Sequence, residues 1–405
     1  MIGAAAVAVI ALGGGPTLGY ASDGPVANFN QGVEAYVEGR YRDAERSFAG
    51  ALEDERLGVL AAWNLGRAAA ARGDWAAAEF WWGRVQAQAQ TDTLREIARR
   101  RLSQIDALRS TASGYGELGL GYDSNAPLEE SGAVFEDRSA PFLEALASGA
   151  WQLAGRRYDG WRARGSVLAR EYDGLNDLGY VDATASAHHV GSTTWLYPGA
   201  WRRDLHLGAG ATRVGGSSVD SRLELGADLE RPVPGRGWVE LRYRFTWHQG
   251  GSDRDWLDGY QHQAHLRFRD PAATLPWGLL YAVEVHDRED RRGDGFFISY
   301  SLTRHRIQAF ATARPAQGWS LTGRLEFQYA VYADAHVVAD ESQRRRDRRG
   351  ILTLEAEREL GDAWGAGARL RAEHFDSQRT DFDAASLERY DVNRLVATVF
   401  ASRLF

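Results

Sequence analysis

The residue types that could do chemistry are sparse in this chain, and their spacing argues against a catalytic centre. A hydrolytic site needs a nucleophile or carboxylate within hydrogen-bond reach of a base. His188 and His189 are sequence neighbours, and neighbours on a strand point to opposite faces, so they do not ligate one ion or serve one reaction. His286 stands beside Asp287, Glu289 and Asp290, which reads as a solvated charge run. No His-Glu-x-x-His or nucleophile-elbow pattern occurs. Cysteine is absent, which removes disulfides, thiolate metal sites and lipidated cysteine. The expectation is a non-enzymatic protein with no catalytic, metal or cofactor residues. The net charge of -7 comes without the basic stripe of a nucleic-acid binder.

Charge recurs instead at every second position of long greasy segments. Val239, Leu241, Tyr243, Phe245 and Trp247 alternate with Glu240, Arg242, Arg244, Thr246 and His248, and Leu325, Phe327 and Tyr329 alternate with Arg324, Glu326 and Gln328. The mean hydropathy is -0.42, and no apolar run of about twenty residues follows the first dozen, so helices do not span a membrane here. Yet Trp 14, Tyr 16 and Phe 15 make the chain rich in aromatics. A transmembrane barrel reconciles the two, because only alternate residues face lipid and aromatics gather at the interfaces. The alternating segments run to about ten residues or more, longer than the strands of a soluble sandwich. Strands are expected at 112–123, 140–154, 160–172, 179–196, 201–214, 218–232, 237–249, 258–269, 277–289, 296–313, 319–333, 346–360, 364–376 and 388–405.

In that arrangement Arg242, Arg244, Arg267, Arg324, Arg369 and Arg371 face the lumen together with Glu224, Glu240, Glu326 and Glu373. Such a ladder either pairs internally and closes the pore or opens to bind a polar cargo. The connections alternate between short Pro/Gly turns and long charged loops. After the short turns come Trp161, Trp201, Trp238, Trp277, Trp319 and Trp364, all but Trp238 in the lipid-facing phase, as in an interfacial belt. Loops such as 125–139, 250–258, 287–295, 335–345 and 376–387 are expected outside. There the basic runs Arg291-Arg292 and 344–349 offer guanidinium groups to lipopolysaccharide phosphates, with a solvated loop as the default.

The first 110 residues differ. Residues 1–21 read as an export signal. At an offset of about 34 residues, Gly32 aligns with Gly66, Gly39 with Gly73, Ala44 with Ala78, Tyr41 with Trp75 and Phe48 with Trp82. This stretch, 25–91, resembles the tetratricopeptide repeat family, and the charged segment 92–109 suits a polar cap. The resemblance implies a peptide-binding groove lined by Phe29, Val33, Tyr36, Trp63 and Arg67, although the same aromatics would serve equally as packing.

The fold expected is therefore α+β multidomain: an export signal (1–21), tetratricopeptide-repeat helices on the periplasmic side (25–110), and a transmembrane antiparallel β-barrel of about 14 strands (112–405). The terminal Phe405 resembles the signal recognised by the barrel assembly machinery, with Arg403 departing from the residue usual at that place. A short repeat domain leading into a barrel whose first strand ends Gly121-Tyr122-Asp123-Ser124-Asn125 looks like the surface lipoprotein assembly modifier (Slam) family. That resemblance implies a translocator in the outer membrane of a Gram-negative bacterium, in contact with lipid and lipopolysaccharide, that moves a cargo protein such as a lipoprotein to the surface. Asp-Ser-Asn is equally ordinary turn chemistry at a strand end. A porin or polysaccharide export channel is the alternative. A seam between the first and last strands, if separated, would offer unpaired backbone to cargo strands.

Overall fold

The computed structural model describes residues 24–107, 111–126, 139–156, 159–193, 201–252, 254–271, 273–293, 296–338, 341–361, 363–380 and 387–405. The expected export signal, the turn at Tyr197-Pro198-Gly199 and most of loop 125–139 lie outside them.

Five helices come first: α1 (Pro25–Val37), α2 (Tyr41–Ala49), α3 (Gly58–Ala71), α4 (Trp75–Gln88) and α5 (Asp92–Ala107). Pro25 occupies the first turn of α1, where no N–H is missed. Gly39 and Gly73 follow α1 and α3 at φ 76° and 77°, left-handed positions that suit glycine. Asp74 then caps α4 by accepting from the Ala77 N–H at 3.0 Å. The 34-residue offset therefore recurs as conformation. It recurs as packing too, since a Cβ at Gly32 would stand 2.5 Å from the Phe48 ring and one at Gly66 2.3 Å from the Trp82 indole. The helices close over a core of Ala44, Phe48, Ala61, Leu65, Trp81 and Trp82, all buried.

Fourteen strands then form one closed antiparallel barrel. Numbering all strands in chain order gives β1 (Ala112–Asp123), β2 (Ala140–Arg156), β3 (Asp159–Tyr172), β4 (Tyr180–Thr193), β5 (Trp201–Val214), β6 (Ser217–Val233), β7 (Gly237–Gly250), β8 (Gly259–Asp270) and β9 (Trp277–Arg288), then the short β10 (Arg291–Gly293) and β11 (Phe296–Ile298). There follow β12 (Leu302–Ala313), β13 (Trp319–Tyr332), the short β14 (His336–Val338) and β15 (Glu341–Gln343), β16 (Arg346–Glu359), β17 (Trp364–Thr380) and β18 (Leu387–Leu404). The short strands make a separate sheet in the order β10-β11-β14-β15. This corrects two expectations. Segment 296–313 is not one strand, because Phe296–Ile298 leaves the barrel to pair with β14. The loops 287–295 and 335–345 are not wholly irregular, because apolar Phe297, Ile298 and Val337 give them something to bury.

The outer surface carries Leu118, Leu143, Leu205, Leu225, Leu266, Leu279, Ile307, Leu325, Leu352 and Leu395, all exposed. A closed ladder satisfies every strand's backbone without an edge, so this greasy exterior is that of a membrane-spanning barrel. Among the described residues no helix is long and apolar enough to cross a membrane. Because α5 leads into β1, strands β3, β5, β7, β9, β13 and β17 all start at the helical end, each with a tryptophan at its first few residues. Trp161, Trp277, Trp319 and Trp364 stand exposed on the outside. Trp201 departs from them: it is covered, with the Arg231 guanidinium 5.5 Å from its ring.

Candidate functional site

At the helical end the turn between β6 and β7, Pro232-Val233-Pro234-Gly235, meets α2 and α4. Trp238, the tryptophan out of phase with the belt, is 1% exposed and belongs to the core of the helical domain. Its indole Nε1 donates to Asp74 Oδ2 at 3.3 Å, and the Arg269 guanidinium lies 5.2 Å from its ring. The Gly235 N–H donates to Glu45 at 3.0 Å, and Arg72 donates to the same carboxylate at 2.9 Å. Burial pushes the Glu45 carboxyl upward, against the pull of Arg72. Gly235 sits at φ 68°, and a Cβ there would come within 2.5 Å of Arg46 Cγ, so the close approach needs glycine. Arg42 adds an ion pair to Asp270 at 3.3 Å. The helical domain is thus seated on the barrel rim at β6, β7 and β8.

The proposed groove residues are all half-buried, so each is partly committed to packing. Phe29 packs edge-on against Phe48 at 5.5 Å, Trp63 lies 5.8 Å from Trp82, and Val33 joins the same core. Tyr36 and Arg67 come together, the guanidinium 4.5 Å from the ring. They join the two helix pairs.

Inside the barrel most of the expected lumen charges are paired. Arg242 reaches Asp228 and Glu240, each at 2.9 Å, and Arg267 lies 3.9 Å from Glu240. Arg244 lies 3.7 Å from Glu224, and Arg371 lies 3.1 Å from Glu373, which also takes Arg349 at 2.5 Å. Arg369 on β17 reaches Glu355 at 2.7 Å and, across the seam, Glu117 at 3.1 Å. Two residues stand outside this ladder. Glu326 accepts from Gln328 at 2.5 Å, and Arg324 is exposed and makes no ion pair among the described residues.

The motif Gly121-Tyr122-Asp123-Ser124-Asn125 forms the clasp of the barrel. Asp123 is fully buried and accepts from Arg394 on β18 at 2.9 Å and from Tyr172 on β3 at 3.0 Å. Ser124 Oγ accepts from the Leu395 N–H at 2.8 Å, and the Asn125 N–H turns back to Asp123 at 3.1 Å. Gly121 leaves room for the Phe142 ring, which a Cβ would meet at 2.3 Å, while Tyr122 is exposed outside. From Tyr115↔Leu404 to Asp123↔Val396 the first and last strands are fully paired. The expectation of separated edges at the seam is therefore not met, since each strand's polar backbone is satisfied by the other. Phe405 extends the closure by exchanging hydrogen bonds with Gly114, and Arg403 lies outside against the Trp364 ring at 5.0 Å.

At the far end, the small sheet covers a cavity of about 410 Å³ lined by Ile298, His336, Arg345, Asp220 and His248. His336 is 1% exposed and bonded to the Ser299 carbonyl at 3.1 Å; burial pushes its imidazole down to about 4. Within the basic run expected to contact lipopolysaccharide, Arg345 is turned inward. It donates to Asp347 at 2.8 Å and stacks on Tyr332 at 4.6 Å. His286 lies on β9, within the strand expected at 277–289, with its Nε2 3.6 Å from Glu284.

His188 and His189 do point to opposite faces: His189 packs outside on Trp161, 4.9 Å between ring centres, while His188 points inward. There it meets Asp204 and His206 of β5, a group the sequence reading missed. Thr193 pairs with Trp201, and the same register sets His188 opposite His206, a register that the alternating pattern of the two strands does not fix by itself.

No family model matches the sequence. No curated protein matches it either. Solved structures that resemble it include a bacterial polysaccharide outer membrane secretin, with TM-score 0.39 and 12% identity over 71% of this chain and 98% of that one. OccAB3 of Acinetobacter baumannii gives TM-score 0.37 and 9% identity over 73% of this chain and 99% of that one. OmpT of Vibrio cholerae, expressed in the outer membrane, gives 0.38 and 9% over 73% and 99%.

Proposed function

We propose that this protein is a translocator in the outer membrane of a Gram-negative bacterium, with its helical domain periplasmic, and that it moves a partner protein, a surface lipoprotein or secreted protein, across that membrane. The observation that carries this reading is the seating of the helical domain on the barrel rim through Trp238 and Glu45. A domain fixed there hands whatever it holds directly to the barrel, and Tyr36, Trp63 and Arg67 keep part of their surface free to hold it. The resemblance of the whole architecture, and of the clasp motif, to the surface lipoprotein assembly modifier family supports the same assignment. So does an ion-paired lumen, which suits a gated path better than steady diffusion. Transport is the role, not catalysis. Surrounding lipid, lipopolysaccharide, the cargo and the barrel assembly machinery are the partners this reading requires.

A porin or polysaccharide export channel is the second reading, favoured by the cavity of about 700 Å³ in the lumen beside Arg164, Arg222 and Arg244. Deletion followed by protease shaving of intact cells separates the two. Loss of particular surface proteins, with a silent barrel in a planar bilayer, supports the translocator. A steady current with an unchanged surface proteome overturns it.

A further inference from the structure

Three ligand-type side chains meet on the lumen wall between β4 and β5. His188 lies opposite His206 in the register, the rings stacked with centres 5.0 Å apart. Asp204 lies on the same inward face as His206, one ladder step nearer the helical end. One ligand atom from each of the three falls within 4.8 Å of the others.

The hydrogen bonds fix the state of the rings. His206 Nε2 lies 3.0 Å from Glu224 Oε1, and a carboxylate only accepts, so Nε2 carries the proton. In the neutral ring Nδ1 then holds a bare lone pair. That atom is buried and has no hydrogen-bond partner, in a side chain only 2% exposed. A buried acceptor with no donor is the arrangement of a metal-binding imidazole, and a carboxylate on the opposite nitrogen is what orients such a ligand. Space has been cleared for it: the residue facing His206 on β6 is Gly226, where a Cβ would stand 2.2 Å from the imidazole.

We propose that His188, Asp204 and His206 bind a borderline divalent cation of the zinc type. Two imidazoles and one carboxylate suit zinc or its neighbours and not calcium or magnesium, which take oxygen ligands. His188 and His206 both line the 700 Å³ cavity, which leaves a position for water on the cation. At present His188 Nδ1 lies 2.8 Å from Asp204 Oδ1. The cation takes the place of the proton between them, and that proton leaves to solvent. Asp204 keeps its other oxygen on Arg164 at 3.1 Å, and His188 Nε2 stays on Ser186 at 2.8 Å. The surrounding charges are mixed: Arg164, Arg242 and Arg244 face Asp204, Glu224 and Asp228. The ion therefore enters a wall close to neutral and ties β4 to β5.

The test uses the full chain, refolded in detergent micelles, stripped with chelator and titrated with zinc by calorimetry and with cobalt by visible absorption. One zinc per chain, and cobalt bands of a four- or five-coordinate site, are expected. His206→Gln and His188→Gln lower the affinity by more than tenfold, and Glu224→Gln, which keeps all three ligands, by about ten- to a hundredfold. His248→Gln, on the separate Asp220 contact, leaves it unchanged. Wild-type protein that binds no zinc, or a double variant of His188 and His206 that binds as tightly as wild type, overturns the proposal. Should a histidine variant misfold, the cobalt spectrum of the wild type still decides: an octahedral, weakly absorbing ion refutes the site.

Discussion

The helical domain and the barrel sort the same side chains in opposite directions. In the helices Trp81 and Trp82 are buried, while arginines such as Arg40, Arg46 and Arg100 stand on the surface. In the barrel Trp161, Trp277, Trp319 and Trp364 stand outside, while Arg242, Arg349 and Arg369 point inward and pair. Apolar surface leaves water in both halves, towards neighbouring side chains in one and towards lipid in the other. The solvent decides which way each periodicity faces, and the sharpest tests are substitutions that force one half to obey the other's rule.

The largest effect is expected at Trp82, 4% exposed, which fills the space above Gly66 and donates to the Trp63 carbonyl at 3.3 Å. Trp82→Ala should cost the helical domain about 3–5 kcal/mol. Far-ultraviolet circular dichroism should show the helical signal melting early, while the barrel keeps its heat-modifiable migration on gels. Simultaneous loss of both would mean that the barrel depends on the domain.

Next comes Leu325, outward near the middle of β13 and 61% exposed. An arginine on a surface position of a soluble protein is close to neutral, whereas Leu325→Arg at the middle of a lipid-facing strand should cost about 2–4 kcal/mol. Denaturant titration of the protein refolded into liposomes measures it. An unchanged midpoint would contradict the lipid-facing assignment.

Much of this contrast was legible in the sequence, for particular reasons. A period of two sustained over ten or so residues leaves little freedom, so the barrel strands are found close to their expected places, except that β12 begins only at Leu302. Gly32 and Gly66 gave away the helix pairs because only glycine allows that approach. The small sheet was illegible because strands of three residues carry no period. Ion-pair partners such as Arg369 with Glu117 join residues from opposite ends of the chain and depend on closure of the seam. The metal-type cluster depends on the register of β4 against β5, which alternation along each strand leaves open.

A smaller effect, and a pH-dependent one, is expected at the far end. His336 is a buried titratable group of the small sheet, near Arg345, Asp347 and Tyr332. Its folded value of about 4 lies below the ordinary 6.5, so the unfolded segment binds the proton first. Stability of the sheet is thus complete above pH 6.5 and is lost as pH falls towards 4, by about 1.4 kcal/mol for each pH unit. At pH 5.5 the loss is about 1 kcal/mol. Protease access to segments 289–301 and 333–345 should rise on acidification in wild type and stay flat in His336→Phe. A rise in both would assign the sensitivity elsewhere.

The smallest effect is expected where the two sorting rules meet. Trp238 faces inward on β7 like a lumen residue, yet it is buried like a core residue of the helices, and its phase was the one irregularity in the tryptophan belt. Trp238→Phe keeps most of the buried ring and removes only the Nε1 bond to Asp74, a loss of about 1 kcal/mol. Neither half should unfold. What should change is the joint, read as faster hydrogen exchange at Gly235 and around Asp74 while the cores near Trp82 and Ile351 stay protected. If exchange at the joint is unchanged, Glu45 and Arg42 hold the domain without Trp238, and the tryptophan serves packing alone.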